Sequence, residues 1–185
     1  SDELAVAMVV DTSAPGAATL PAWLSAAARF ILEAPSRTEA VVIADSAPAT
    51  AITPPRRGPM EIVRSLDGVR PGRDRDTAAA LDLAGRQFPA APVGRRVVVF
   101  YTSAPDAGGE SAARLGARLR DAGTLLVVVG TAAAGRFWTE AATACTAADA
   151  AREDQFPVLR ESLTSMVQLL QERAPEATIV MVTYP

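Results

Sequence analysis

Three short polar segments contain the residues of this sequence that could do chemistry. The first follows an apolar run near the start of the chain, the second leads into an Ala-Leu helix pattern, and the third follows another apolar run. Carboxylate and hydroxyl oxygens in such positions can ligate a hard cation or hydrogen-bond a partner. The candidate binding residues are Asp11 and Ser13 in the first segment, Arg75, Asp76 and Thr77 in the second, and Ser103 and Asp106 in the third.

The residue types that the sequence lacks exclude several kinds of active site. It contains no His, which excludes Ser-His, Cys-His and His-metal mechanisms within the chain. Its single cysteine, Cys145, supports neither a disulfide framework nor a thiolate zinc site. No Lys is present for a phosphate-binding loop, and no Gly-x-Gly-x-x-Gly motif follows the first apolar run. Ser103 resembles a nucleophile only by residue type, because no general base is identifiable near it in sequence. We therefore expect no enzyme and no catalytic residue.

Composition and charge narrow the class of partner. The 185 residues are 49% hydrophobic, which fits one domain with a substantial core. The net charge is −3, and the 18 basic residues are all Arg and form no basic stripe, so we expect no nucleic acid partner. Arg without Lys, together with many Ala, is typical of a GC-rich bacterial genome. No apolar run is long enough to span a bilayer, so no membrane contact is expected from this segment.

Short apolar runs alternate with helical patterns along the whole chain. The runs are rich in Val and apolar on both faces, as in strands buried within a parallel sheet. They cover residues 4–10, 40–44, 97–101, 125–129 and 178–183. Residues 50–53 are predicted to form a short edge strand, because Pro54-Pro55 stops it from continuing, and the stretch from Pro54 to Pro59 is predicted to be a loop.

Four segments between these runs place apolar residues on one face of a helix. They are Leu20, Leu24, Ala27, Ala28 and Ile31; Thr77, Ala80, Leu81, Ala84 and Phe88, with Asp74 or Asp76 as cap; Ala112, Leu115 and Leu119, with Gly123 as stop; and Phe156, Leu159, Leu163, Met166, Val167 and Leu170. This alternation predicts an α/β fold: a doubly wound, mainly parallel sheet with helices on both faces. Such sheets bind ligands at the carboxyl ends of their strands, where the three polar segments are expected to lie.

The order and separation of the three polar segments resemble the von Willebrand factor A (vWA) family. Residues 11–15, Asp-Thr-Ser-Ala-Pro, resemble the family's Asp-x-Ser-x-Ser after its first strand. Residues 73–81 resemble Gly-Gly-Thr-Asp-x-Ala-Ala-Ala-Leu, and Thr102-Ser103-Ala104 stands where the family has Thr-Asp-Gly after a strand. The resemblance covers nearly the whole chain and implies a single vWA-like domain over residues 1–185. Because the start, Ser1-Asp2-Glu3, leads almost directly into a strand, we expect the domain to be excised from a longer protein.

The resemblance implies a six-stranded sheet of order 3-2-1-4-5-6, counted along the chain, with the short third strand antiparallel at an edge. It also implies a metal-ion-dependent adhesion site, where the three motifs hold a divalent cation, usually Mg²⁺, and an acidic group of the partner completes its coordination. Asp11 and Ser13 remain as vestigial ligands, but Pro15, Arg75 and Ser103 replace a serine, the threonine and the aspartate. The site is therefore expected to be degenerate, with no metal and no other cofactor, unless Asp106 or Thr77 compensates.

Loss of the cation would leave Asp11 with a buried negative charge, which needs a partner or a proton. The alignment places Arg75 at the cation site. We predict that its guanidinium lies within hydrogen-bond distance of the Asp11 carboxylate, which such a group can satisfy bidentately, and that Ser13 and Ser103 hydrogen-bond the remaining groups. The alternative is an Arg75 side chain that points into solvent beside the neighbouring aspartates.

The sequence thus predicts a binding module rather than a catalyst. Its partner would be another protein, or another domain of the same chain, docked without a metal. Two alternatives stay open: an atypical Mg²⁺-dependent adhesion domain, and a small enzyme on a Rossmann-like sheet. Part of this ranking rests on fold analogy, which is weaker evidence than the chemistry of a site.

Overall fold

The Val-rich runs of the sequence form strands of one mostly parallel sheet. The computed structural model describes residues 4–89, 91, 96–131, 135–146 and 156–173. The strands are β1 (Ala5–Asp11), β2 (Glu39–Asp45), β3 (Thr50–Ala51), β4 (Arg56–Arg57), β5 (Arg96–Thr102) and β6 (Thr124–Gly130). β1, β2, β5 and β6 run parallel, whereas β3 and β4 pair antiparallel with β2. The order is β3-β2-β1-β5-β6, and β4 also borders β2.

This sheet confirms the predicted order for the strands that the structure describes. β1 lies between β2 and β5, as expected for the central strand, and β3 is the short antiparallel strand at the edge. The sixth predicted strand, residues 178–183, lies outside the described residues. The edge strand is shorter than predicted and ends at Ala51.

The prediction of a loop from Pro54 to Pro59 was wrong in part. Arg56 and Arg57 pair with Glu39 and Ala40 of β2 as β4, and Pro59 is the first residue of a helix. Proline lacks a backbone N–H donor, and the ladder pairs form at the two arginines that follow Pro54-Pro55. Proline is also favourable in the first turn of a helix, where its missing donor has no acceptor to lose.

Helices cover both faces of the sheet. They are α1 (Leu20–Leu32), α2 (Pro59–Leu66), α3 (Thr77–Gly85), α4 (Ala112–Asp121), α5 (Gly135–Thr146) and α6 (Phe156–Arg173), and a 3₁₀ turn spans Ala14–Gly16. α2 and α5 were not predicted. Asp76 caps α3 through the backbone N–H of Ala79, and Gly123 follows α4 with a positive φ of 70°, as its predicted stop requires. None of the described helices is long and apolar enough to cross a membrane.

Successive residues of the central strands supply two separate cores. Val6, Met8 and Val10 of β1 pack with α1, α2 and α6 on one face, whereas Ala5, Ala7 and Val9 pack with α3, α4 and α5 on the other. All seven residues of β1 are buried, which explains why the run is apolar without alternation. The sheet therefore lies between two helical layers, and its carboxyl edge is exposed between them.

We expect the first core to depend on α6. Leu163, Met166 and Leu170 are buried there and Val167 is half-buried, whereas the side chains of Phe156 and Leu159 lie outside the described part of the chain. Leu163 is 4% exposed, so Leu163→Ala should lower the free energy of unfolding by about 2–5 kcal/mol through lost burial and a cavity. Urea denaturation measures it. The adjacent exposed Thr164→Ala is the control, with an expected change within about 0.5 kcal/mol. Equal midpoints for the two variants would show that the α6 stripe is misassigned.

Candidate functional site

The carboxyl ends of the three neighbouring strands β2, β1 and β5 bring polar residues together. Asp11 ends β1 and Asp45 ends β2, and the two are register partners in the parallel pair. Ser103 follows directly after β5, on the other side of β1. Parallel strands end at the same edge, so these residues meet although 92 positions separate Asp11 from Ser103.

Asp11 lies at the centre of this group and is fully buried. Its Oδ1 accepts a hydrogen bond of 2.9 Å from the backbone N–H of Ser13. Its Oδ2 accepts from the Ser103 hydroxyl at 2.8 Å and from the Ser103 backbone N–H at 3.3 Å. A buried carboxylate requires such donors, because losing water without replacing its hydrogen bonds costs several kcal/mol.

Arg75 makes the predicted contact with Asp11. Its Nη1 lies 3.4 Å from Asp11 Oδ2 and donates to the Ser13 hydroxyl at 3.3 Å. The pairing is not bidentate, because Nη1 alone makes both contacts. The alternative that Arg75 points away into solvent is wrong, since 25% of its side chain is exposed and its tip faces the buried acid.

Backbone hydrogen bonds hold the Arg75 loop against the loop after β1. The N–H of Gly72 donates to the backbone carbonyl of Thr12 at 2.7 Å, and the N–H of Ala14 donates to the backbone carbonyl of Arg73 at 3.0 Å. The two hydrogen bonds flank Ser13 in the loop after β1, and in the other loop they lie three and two residues before Arg75. These backbone hydrogen bonds place Arg75 close to Asp11, although the two residues are 64 positions apart in the sequence.

Gly16 permits the close approach of the 3₁₀ turn to this cluster. A Cβ atom at this position would lie 2.9 Å from Asp11 Oδ2 and 3.0 Å from the Ser103 hydroxyl. Any other residue would push against the acid and its donor. Pro15, the preceding residue, is exposed and supplies no side-chain oxygen or nitrogen.

Asp45 is the residue of this edge that sequence analysis missed. It is fully buried, and its Oδ2 accepts a hydrogen bond of 2.6 Å from the hydroxyl of Thr77, the first residue of α3. Its Oδ1 is buried and has no hydrogen-bond partner among the described residues. The available signal was positional: Asp45 ends its apolar run as Asp11 ends the first run.

Burial gives Asp45 an unusual affinity for a proton. Removal from water raises the pKa of its carboxyl from 3.8 to about 6, an effect that the Thr77 hydrogen bond opposes and the negative charge of Asp11 reinforces. Arg75 acts in the opposite direction, because its positive charge favours the carboxylate. Two buried acids thus share one guanidinium.

The remaining predicted site residues lie beside this cluster, around a cleft. Arg75, Asp76, Thr77, Asp106, Ala107 and Gly108 line an open cleft with a volume of about 270 Å³. Asp76 accepts from the Ala79 N–H at 3.1 Å as the cap of α3, and Asp106 accepts from the Gly108 N–H at 2.8 Å in a tight turn. Neither side chain joins Asp11. Arg75 and Thr77 belong to both groups, so they connect the buried acids with the cleft.

Because the pKa of Asp45 is raised, the free energy of unfolding is expected to depend on pH. The unfolded chain has the ordinary pKa near 3.8 and the folded one about 6, so the folded state binds this proton more tightly. Protonated Asp45 contributes fully to the free energy of unfolding below pH 4. This contribution is lost as the pH rises through 6, and the loss is about 3 kcal/mol at most. Asp45→Asn removes this loss. Relative to the wild type, the variant should therefore gain stability between pH 4 and pH 7 in urea denaturation.

The control for this experiment is Asp106→Asn, which removes an exposed carboxylate. Its unfolding free energy should follow the wild-type pH dependence over the same range. Parallel curves for Asp45→Asn and the wild type would contradict the assignment of a raised pKa to Asp45.

Solved structures of similar fold come from several vWA domains. A von Willebrand factor type A structure from Catenulispora acidiphila has a TM-score of 0.62 at 16% identity, covering 89% of this chain and 43% of that chain. The SpRpn10 VWA domain has a TM-score of 0.61 at 10% identity, covering 75% and 82%. Proximal thread matrix protein 1 from the mussel byssus, with a zinc-occupied MIDAS motif, has a TM-score of 0.62 at 17% identity, covering 88% and 46%.

Sequence comparison adds no closer relationship. No protein-family model and no curated protein sequence matches the chain. The chain spans less than half the length of the Catenulispora and mussel chains. The strand order, the helices on both faces and these superpositions nevertheless agree with one another: the chain has the fold of a von Willebrand factor A domain.

Proposed function

We propose that this domain is a non-catalytic protein-interaction module that docks its partner at the carboxyl edge of the sheet without a divalent cation. The partner is another protein or another domain of the same chain. The vWA-type fold supports the interaction role at a coarse level. The edge is the natural docking place, since ligands of open α/β sheets bind outside the carboxyl ends of the strands.

The observation that carries the metal-free part of the proposal is the position of Arg75. Its Nη1 lies within 3.4 Å of Asp11 Oδ2 and 3.3 Å of the Ser13 hydroxyl, the two oxygens that the family resemblance assigns to the cation. A divalent cation and a guanidinium repel each other and compete for the same oxygens. Pro15 offers no ligand, and Ser103 supplies a neutral hydroxyl where the family resemblance places a carboxylate. These residues do not fit a tightly held Mg²⁺ ion.

The same contacts support a non-catalytic role. Asp11 is the acid nearest the Ser103 hydroxyl, but its oxygens also accept from Ser13, Arg75 and the Ser103 backbone. A general base must be free to take up a proton during the reaction. Here the carboxylate is committed to holding the loops in place. We infer that Ser103 is a positioning residue of the edge rather than a nucleophile.

Calorimetric titration tests the absence of cation binding. The wild-type domain should give no binding heat with Mg²⁺ or Mn²⁺. Restoring the missing oxygens and removing the guanidinium, with Pro15→Ser, Arg75→Thr and Ser103→Asp combined, should create measurable Mg²⁺ affinity, because hard oxygens then surround the position of Nη1. The matched control replaces Arg75→Thr by Arg73→Thr in the same triple variant and should bind no Mg²⁺. Saturable Mg²⁺ binding by the wild type would overturn metal independence.

A random heptapeptide library displayed on phage tests the interaction role. Clones retained by the wild-type domain in EDTA should lose binding to Asp106→Arg, which places a bulky charge of opposite sign at the cleft. They should still bind Glu172→Arg, a matched charge reversal at an exposed position of α6, on the other face of the sheet. If every clone bound Asp106→Arg as well as it binds Glu172→Arg, docking at this edge would be contradicted. Clones that bind only with Mg²⁺ present would contradict docking without a cation.

A further inference from the structure

The cleft at the carboxyl edge presents charges of both signs within one small volume. Arg75 lines it together with Asp76 and Asp106, and both aspartates are exposed. An approaching group of a single sign therefore meets attraction and repulsion at once. This arrangement constrains the chemistry of whatever docks there.

The guanidinium of Arg75 is only partly used by the fold. Nη1 makes both inward contacts, whereas Nε and Nη2 make no hydrogen bond to the described residues. A quarter of the side chain is exposed in the cleft. An arginine with a free Nε–Nη2 edge is suited to a planar carboxylate, which can accept two parallel hydrogen bonds from it.

The two aspartates are likewise only partly used. Asp76 Oδ1 caps α3 and Asp106 Oδ1 accepts from Gly108, so each keeps its other oxygen uncommitted among the described contacts. These oxygens would repel a lone anion that approached Arg75. A positive group next to that anion would remove the repulsion and gain two acceptors instead.

From this charge pattern we infer that the docked segment is a peptide in which an acidic residue neighbours a basic one. The acidic side chain pairs with Nε and Nη2 of Arg75, and the basic side chain lies against Asp76 and Asp106. The inference rests on the proposed docking at this edge and specifies the chemistry of the partner. It explains why the cleft combines the guanidinium with two carboxylates rather than with further cations.

The test uses peptides from the EDTA selection that lose binding to Asp106→Arg. We expect these clones to be enriched in an acidic residue within two positions of Arg or Lys. The best clone is synthesised with a fluorescent label, and two further peptides carry its acidic residue changed to the amide or its basic residue changed to Gln. Each change should weaken binding to the wild-type domain at least about tenfold in fluorescence anisotropy.

Matched variants of the domain identify the contacts. Arg75→Lys keeps the positive charge beside Asp11 but lacks the forked donor. Its affinity for the parent peptide should therefore fall about tenfold, and changing the acidic residue of the peptide to the amide should not weaken binding further. Arg73→Lys, at an exposed position two residues earlier, should behave as the wild type. Asp76→Asn with Asp106→Asn keeps both turns, since Asn caps equally well, and should become insensitive to loss of the basic residue. Asp74→Asn is its control.

The outcomes separate this inference from the function on which it rests. Edge-dependent clones without the acidic–basic pair, or peptide and domain changes that act independently of one another, would overturn the inference and leave docking at the edge intact. A library without any edge-dependent clone would overturn the docking itself. Thermal unfolding of Arg75→Lys near the wild-type midpoint shows that its loss of affinity is not a loss of fold.

Discussion

A negative charge buried at the end of the central strand constrains the whole carboxyl edge. Asp11 is excluded from water, and an uncompensated carboxylate in that position would destabilise the fold by several kcal/mol. The compensating donors come from the loop after β1, the residue after β5 and the loop before α3. Each of these segments must therefore adopt one conformation, and the geometry of the cleft is a consequence of satisfying one buried acid.

The balance of charge at this edge is incomplete without a proton. Asp45 is as deeply buried as Asp11, its nearest cation is shared with Asp11, and its Oδ1 has no donor among the described residues. Protonation near pH 6 neutralises one of the two acids and leaves Arg75 to the other. The structural role of Arg75 and the raised pKa of Asp45 thus have one main cause, which is the burial of two acids away from water.

The sequence predicted the elements whose burial leaves a pattern in large side chains. β1 and β5 are Val-rich because helices cover both of their faces, and Asp11 and Arg75 were found because aligned motifs place them at one edge. α5 was missed although Trp138, Ala141, Ala142 and Cys145 are buried at helical spacing, since small residues give a weak hydrophobic signal. Ala141, Ala142 and Cys145 are small where α5 packs on α4, which passes so close that a Cβ on Gly116 would lie 2.2 Å from the carbonyl oxygen of Ala141. Asp45 was missed because its partners, Thr77 and Asp11, become visible only once the strands are paired.

Arg75 belongs to a loop that backbone hydrogen bonds hold against the loop after β1, whereas a metal ion binds from solution. The occupancy of a metal site follows the free concentration of its ion and falls when that concentration falls below the dissociation constant. The guanidinium is covalently part of the chain, and the Gly72–Thr12 and Arg73–Ala14 hydrogen bonds keep it within reach of Asp11, so its effective concentration is fixed by the backbone. The guanidinium consequently reaches its position beside Asp11 when the chain folds, and its presence there does not depend on the free concentration of an ion.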